Sequence, residues 1–159
     1  MNKWDTRFLA LAEHVACWSK DPSTKVGAVI VDARKRVVSL GYNGFPRGIK
    51  DTDERLNNRD VRYKMTVHAE RNAILFAARE LAGSTIYVHP FMPCAPCAGE
   101  VIQAGITRCV APRNDNPRWA ADFLLTEEMF KEAGVELELA EPVLVSDWLI
   151  PIKEGTNVD

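Results

Sequence analysis

The stretch TRCVAPRNDNPRWAADFLLTEEMFKEAGVELEL, Thr107 to Leu139, decides the fold. Thr107 to Ala111 reads as a strand. A helix from about Arg118 to Ala133 follows, with Trp119, Phe123 and Phe130 on one side, and Gly134 ends it. Val135 to Leu139 is the next strand. A crossover helix returns the chain in its original direction, so these two strands lie parallel. The same alternation extends upstream. Thr85 to Val88 is a strand, and a short helix from about Cys97 to Ala104 stops at Gly105. Before it, an alanine-rich helix from about His68 to Ala82 is capped by Thr66 and closed by Gly83. Farther toward the N-terminus, Lys25 to Asp32 and Arg36 to Leu40 pair as a hairpin around Arg34-Lys35. A first helix from about Trp4 to Lys20 places Trp4, Phe8, Leu11, Val15 and Trp18 on one apolar stripe. Asp21-Pro22-Ser23 ends it, because the residue before proline is pushed out of the helical region. Gly41 to Arg62 reads as a long shaped loop, rich in glycine at first and in charge later. The order α-β-β-α-β-α-β-α-β predicts an α/β fold of three layers, with helices on both faces of a five-stranded mixed sheet.

The chain has 159 residues, enough for one domain with an ordinary core. The domain core is expected over about 4–140, with a C-terminal extension over 141–159 carrying short apolar pieces near Val143 and Ile150. Apolar residues make up 47% and charged residues 26%, which excludes disordered and collagenous classes. A formal net charge of −2 argues against an extended nucleic-acid surface. No apolar run approaches the ~20 residues of a membrane span. Met1-Asn2-Lys3-Trp4-Asp5 lacks a signal-peptide core, so a cytoplasmic, reducing location is expected for the four cysteines.

Two short strings carry chemistry, His68-Ala69-Glu70 and Pro93-Cys94-Ala95-Pro96-Cys97, each opening a helix. Cys94 and Cys97 have the spacing that lets two thiolates grip one ion at a helix N-terminus, where the amide dipoles favour thiolate. With His68 they make the three-ligand set of an open catalytic zinc site, whose fourth position takes water. Glu70 need not be a ligand and is placed as proton shuttle beside that water. A redox pair is the first rival, but it has no use for the His-x-Glu string. A closed structural zinc, and with it a non-catalytic binding module, is the second. It needs a fourth ligand from His14, Cys17, His89 or Cys109. Cys109 reads as a core thiol, His89 as a structural or pocket-wall residue, and the other two lack a matching partner spacing.

These strings, extended to Ala73-Ile74 and Ala98, resemble the cytidine/deoxycytidylate deaminase superfamily, whose motif is H-x-E followed by P-C-x-x-C. Lys20-Asp21-Pro22-Ser23-Thr24-Lys25-Val26-Gly27-Ala28 and Gly41-Tyr42-Asn43-Gly44-Phe45-Pro46-Arg47-Gly48 are similar to the deoxycytidylate (dCMP) deaminases within it. The resemblance runs from about Trp4 to Leu139. It implies a cytidine-deaminase-like fold and zinc-dependent hydrolysis of dCMP to dUMP and ammonia, supplying dUMP for thymidylate synthesis. It also implies a homohexamer, activation by dCTP and inhibition by dTTP, bound with Mg²⁺ near Tyr42, Gly44, Arg47 and Lys50. Phe76 and Arg79 are candidates for a relay between interface and active site. Val88 to Pro93 is about one residue longer than is usual in the family. Lys50 to Val67 contains neither Cys nor His, so a single zinc is expected where some viral relatives hold two.

For the sugar and phosphate, Asn43 either hydrogen-bonds a sugar hydroxyl or is a left-handed turn residue, and Lys25 either meets the phosphate or is a solvated strand-end charge. Ala69 joins the substrate-binding set. Arg113, Asp115 and Arg118 follow a strand at the carboxyl end, where α/β sheets place ligands. Alternatives are deamination of another cytosine nucleoside or nucleotide, or of tRNA adenosine. The acidic balance speaks against the tRNA reading.

Overall fold

The structure is a computed structural model that describes residues 1–141. The expected apolar pieces near Val143 and Ile150 lie outside the described residues. In chain order the elements are α1 (Lys3–Ala16), β1 (Gly27–Val31), β2 (Val37–Tyr42), α2 (Asp53–Asn57), α3 (Arg59–Met65), α4 (Ala69–Phe76), β3 (Thr85–His89), α5 (Ala95–Gln103), β4 (Arg108–Pro112), α6 (Ala120–Ala133) and β5 (Glu136–Ala140). One five-stranded sheet has the order β2-β1-β3-β4-β5. β1 pairs antiparallel with β2 and β3, and β3, β4 and β5 run parallel. The mixed sheet and the parallel last pair agree with the sequence-based expectation. No helix among the described residues is long and apolar enough to cross a membrane.

Strand alternation divides the core. Val29 and Val31 point to one face with Tyr87 and Val110, and pack on Phe8, Leu9 and Ala12 of α1. Ala28, Ile30, Ile86, Val88 and Cys109 point to the other, under Ala69 and Ala73 of α4, Ala98 and Val101 of α5 and Phe130 of α6. Two glycines permit the closest approaches. A Cβ on Gly27 would stand 2.1 Å from the Ala12 carbonyl oxygen, and one on Gly41 would stand 2.2 Å from that of Ala69. Gly41 therefore belongs to strand–helix packing and not to a loop.

Three expectations change. α1 ends at Ala16, and Trp4 and Trp18 are exposed, so the predicted stripe is not the buried face. The buried face is Asp5, Phe8, Leu9, Ala12, Val15 and Ala16, and the helix start is fixed by the capping box in which Asn2 and Asp5 satisfy each other's backbone N–H. The segment expected as loop holds α2 and α3, whose first turns are capped by the Thr52 and Asn58 side chains. α4 stops at Phe76, well short of Ala82, with Ala78 at φ 50°; its N-cap is His68, while Thr66 closes α3.

Asp5 carries a charge into the core with 0% exposure. Arg108 Nη1 donates to its Oδ1 at 2.7 Å, Tyr87 Oη donates to Oδ1 at 2.9 Å, and the Asn2 N–H donates to Oδ2 at 2.8 Å. Burial pushes the carboxyl up, but these donors outweigh it and hold it at about 2, against 3.8 for a free aspartate. A lowered folded value means stability that is present above 3.8 and lost as pH falls toward 2. The amount is about 2 kcal/mol. Urea unfolding of wild type between these pH values is expected to show this acid loss, and Asp5→Asn, less stable at neutral pH, to show a flatter limb. Parallel slopes in both proteins would exclude Asp5 as the titrating group.

Candidate active site

His68 and Cys94 are the N-cap residues of α4 and α5, yet neither side chain caps its own helix. Both turn toward each other. His68 Nδ1 lies 3.5 Å from Cys94 Sγ and 3.3 Å from Cys97 Sγ, and the three donor atoms fall within 4.8 Å of one another. A tetrahedral zinc with ordinary Zn–S and Zn–N bonds sets nitrogen and sulfur about 3.6 Å apart, so the spacing and the donor chemistry both fit that ion. The arrangement is supported from behind. α6 grips the turn on both sides of Cys94: Thr126 Oγ1 donates to the Pro93 carbonyl at 3.0 Å, and Asp122 Oδ2 accepts the Ala95 N–H at 3.2 Å. Arg71 of α4 donates through Nε to Glu100 Oε1 of α5 at 2.8 Å, linking the two helices that carry the donors.

The electrostatics follow from crowding. The Cys97 thiol hydrogen-bonds the Cys94 sulfur, which holds Cys94 well below the usual thiol range; His68 adds to this. The same pairing, with burial, pushes Cys97 up. His68 is raised mainly by its bond to Cys94. Glu70, in the first turn of α4, is 4% exposed. Burial pushes its carboxyl up to about 7, against the opposing pull of its own backbone N–H and of His68.

A cavity of about 290 Å³ opens onto this group. Of the residues the sequence singled out, His68, Ala69, Glu70, Cys94 and Asn43 line it, with Cys97 buried in contact with His68. Asn43 is not a left-handed turn residue. Its Oδ1 accepts the Val26 N–H at 2.8 Å and its Nδ2 donates to the Thr24 carbonyl at 2.9 Å, so it pins the 24–26 strand entry into the cavity wall. Lys25 is exposed and is not among the lining residues, although Thr24 and Val26 on either side are. Asp115 lines a different cavity of about 440 Å³, with His89 and Arg113. The proposed effector residues also lie outside the first cavity. Tyr42 stacks edge-on against Trp18, Gly44 bridges Val67, the Arg47 guanidinium sits 5.9 Å from the Phe76 ring, and the Lys50 carbonyl accepts from Arg55.

Sequence reasoning missed the aromatic walls. Phe91 packs 5.7 Å from both Trp119 and Phe123, and Tyr63 lines the same cavity. Trp119 and Phe123 read as the core side of a helix, and Tyr63 was hidden in a charged segment. Asp21, Ser23 and Thr24 also line the cavity; their place in the Lys20–Ala28 string was the signal available.

Fold and site together define a three-layer α/β protein with a metal-competent His-Cys-Cys centre beside a buried carboxylate. The family model for the cytidine and deoxycytidylate deaminase zinc-binding region matches residues 2–112. An uncharacterized deaminase of the luxG 3′ region of Aliivibrio fischeri is 45% identical over 140 residues, covering 86% of this chain and 93% of its own. The deoxycytidylate deaminase of Homo sapiens is 40% identical over 141 residues, 84% of this chain and 77% of its own. The fold also matches the crystal structure of dCMP deaminase from the cyanophage S-TIM5, with a TM-score of 0.69 at 22% identity, over 88% of this chain and 100% of that one. The chain belongs to the cytidine and deoxycytidylate deaminase family.

Proposed function

We propose that this chain hydrolyses dCMP to dUMP and ammonia, with zinc held by His68, Cys94 and Cys97 and Glu70 moving the protons. The observation that carries the reading is the buried Glu70 carboxylate beside the His-Cys-Cys group at a cavity walled by aromatic rings. Kinship with deoxycytidylate deaminases of Homo sapiens and Mus musculus, at 40% and 36% identity, supports the choice of nucleotide. Zinc, when bound, supplies an acidified water as nucleophile at neutral pH. Glu70 accepts a proton from that water and delivers it to N3 of the cytosine, which makes C4 electrophilic. After oxygen bonds to C4, Glu70 takes the remaining proton from the C4 hydroxyl and delivers it to the exocyclic nitrogen, the C4–N bond breaks, ammonia leaves and the C4 carbonyl of dUMP remains. Phe91 and Trp119 give the base flat apolar faces and exclude bulk water. Asn43 holds the Thr24–Val26 wall and retains hydrogen-bonding capacity for a sugar hydroxyl.

The same reading makes the chain one domain in a cytoplasmic homohexamer that feeds dUMP to thymidylate synthesis. Exposed Ile49, Leu75 and Phe76 support a subunit contact beside the 42–50 segment. There Arg47 and Lys50 suit a dCTP or dTTP effector with Mg²⁺, away from the reaction cavity.

The test is a spectrophotometric assay of zinc-loaded protein on dCMP, deoxycytidine, CMP and dCTP. The expected result is a kcat/KM for dCMP at least about 10-fold above the others. Equal turnover of deoxycytidine would replace dCMP by the free nucleoside. No turnover of any of the four would remove the cytosine reading.

A further inference from the structure

Three guanidinium groups gather around one phenol at the edge of the reaction cavity. Tyr63 lines that cavity from α3, and Trp119 lines it from the turn before α6. Arg118 joins these walls. Its Nη2 donates to Tyr63 Oη, and its guanidinium carbon lies 4.7 Å from the Trp119 ring centroid and 5.9 Å from that of Tyr63. The guanidinium carbons of Arg59 and Arg62 lie 5.0 Å and 5.5 Å from the Tyr63 ring centroid. Arg62 is buried and paired with Asp21 at 3.4 Å. Arg59 and Arg118 have no carboxylate within ion-pairing distance among the described residues. Two positive charges thus stand at the cavity edge outside any close ion pair, with Asp60 the acid that acts on Arg59 from a distance, in a chain whose formal net charge is −2.

Chemistry on the base has no use for them. The reacting C4 must lie beside Glu70 and His68, and the end of a nucleotide farthest from its reacting base is the 5′-phosphate. Stacking on Trp119 holds the guanidinium plane in place, and the bond to Tyr63 takes one of its five N–H donors, so the others are ready for phosphate oxygens. We infer that Arg118, braced by Trp119 and Tyr63 and seconded by Arg59, is the group that selects a 5′-phosphorylated nucleotide over the free nucleoside. This rests on the deaminase reading above. It moves phosphate recognition from Lys25 to residues 59–63 and 118–119, which only the tertiary fold brings together.

Arg118→Ala and Arg118→Lys are compared with wild type on dCMP and on deoxycytidine, with zinc content and melting temperature as folding controls. Arg118→Ala is expected to lower kcat/KM for dCMP by about 10- to 100-fold more than for deoxycytidine, mainly through KM. Arg118→Lys, which keeps the charge and loses the planar fork, is expected to fall between. Equal losses on both substrates, or no loss on dCMP, would overturn the inference and leave the dCMP reading standing. If wild type turns over neither substrate, the deaminase reading fails by itself. Calorimetry with dUMP and deoxyuridine then decides the phosphate site. A preference for dUMP that Arg118→Ala abolishes supports it, and no preference overturns it.

Discussion

Glu70→Gln is expected to retain zinc and fold while losing turnover by a factor of about 10⁴ or more. A single general acid or base contributes roughly 10²- to 10⁴-fold. Glu70 serves twice in the proposed reaction, once in addition of oxygen to C4 and again in departure of ammonia, so its loss falls at the upper end. Glutamine has the same shape and can still hydrogen-bond, but it cannot carry a proton between water and the base. The substitution leaves His68, Cys94 and Cys97 untouched. It also removes a carboxylate that is 4% exposed, and burial of that charge opposes folding. The melting temperature is therefore expected to hold or rise, which separates lost chemistry from lost structure. The measurements are dCMP turnover, metal content and thermal unfolding of the same preparation. Near-normal turnover would assign the proton transfers to another group.

Gly41→Ala is expected to damage the same centre from the other side of the helix that carries it. A Cβ at Gly41 would stand 2.2 Å from the Ala69 carbonyl oxygen and 2.4 Å from the Ala73 nitrogen. Both are backbone atoms in α4 and cannot rotate aside, so α4 must retreat from β2. His68 and Glu70 travel with α4, while Cys94 and Cys97 stay with α5, and the 3.3 Å approach of His68 to Cys97 opens. Overpacking of this kind costs about 3 kcal/mol, and weaker zinc retention is expected with it. Gly44 is the control within the same motif. A Cβ there meets only the Tyr42 ring, at 4.0 Å, and Gly44 is not among the glycines with positive φ. Gly44→Ala is expected to cost less than about 1 kcal/mol. Urea midpoints and zinc content of the two variants test the distinction, and equal effects would refute the packing role of Gly41.

That contrast shows where the sequence could be read and where it could not. Both glycines look alike in Gly-Tyr-Asn-Gly, and only the position of α4 against β2 tells them apart. α2 and α3, of five and seven residues, left no apolar period because their helices are short and charged and rest on side-chain caps. The inner face of α1 was misassigned for a related reason. Asp5 looks like a solvent residue until Arg108, 103 residues away, is placed over it.

The strands of the sheet, the parallel return of the chain after Gly134 and the local pairs His68–Glu70 and Cys94–Cys97 at two helix starts were determined by the sequence itself. Each rests on a periodicity or a spacing of a few residues, and such patterns act through local backbone geometry. Tertiary structure alone decided which aromatic rings wall the cavity, which glycine admits a helix and which arginines meet at its edge. Tyr63, Phe91 and Trp119 come from three separated segments, and the sheet order β2-β1-β3-β4-β5 sets how close they come. Contacts of that range are fixed by packing across the whole domain, so no single stretch of the chain records them.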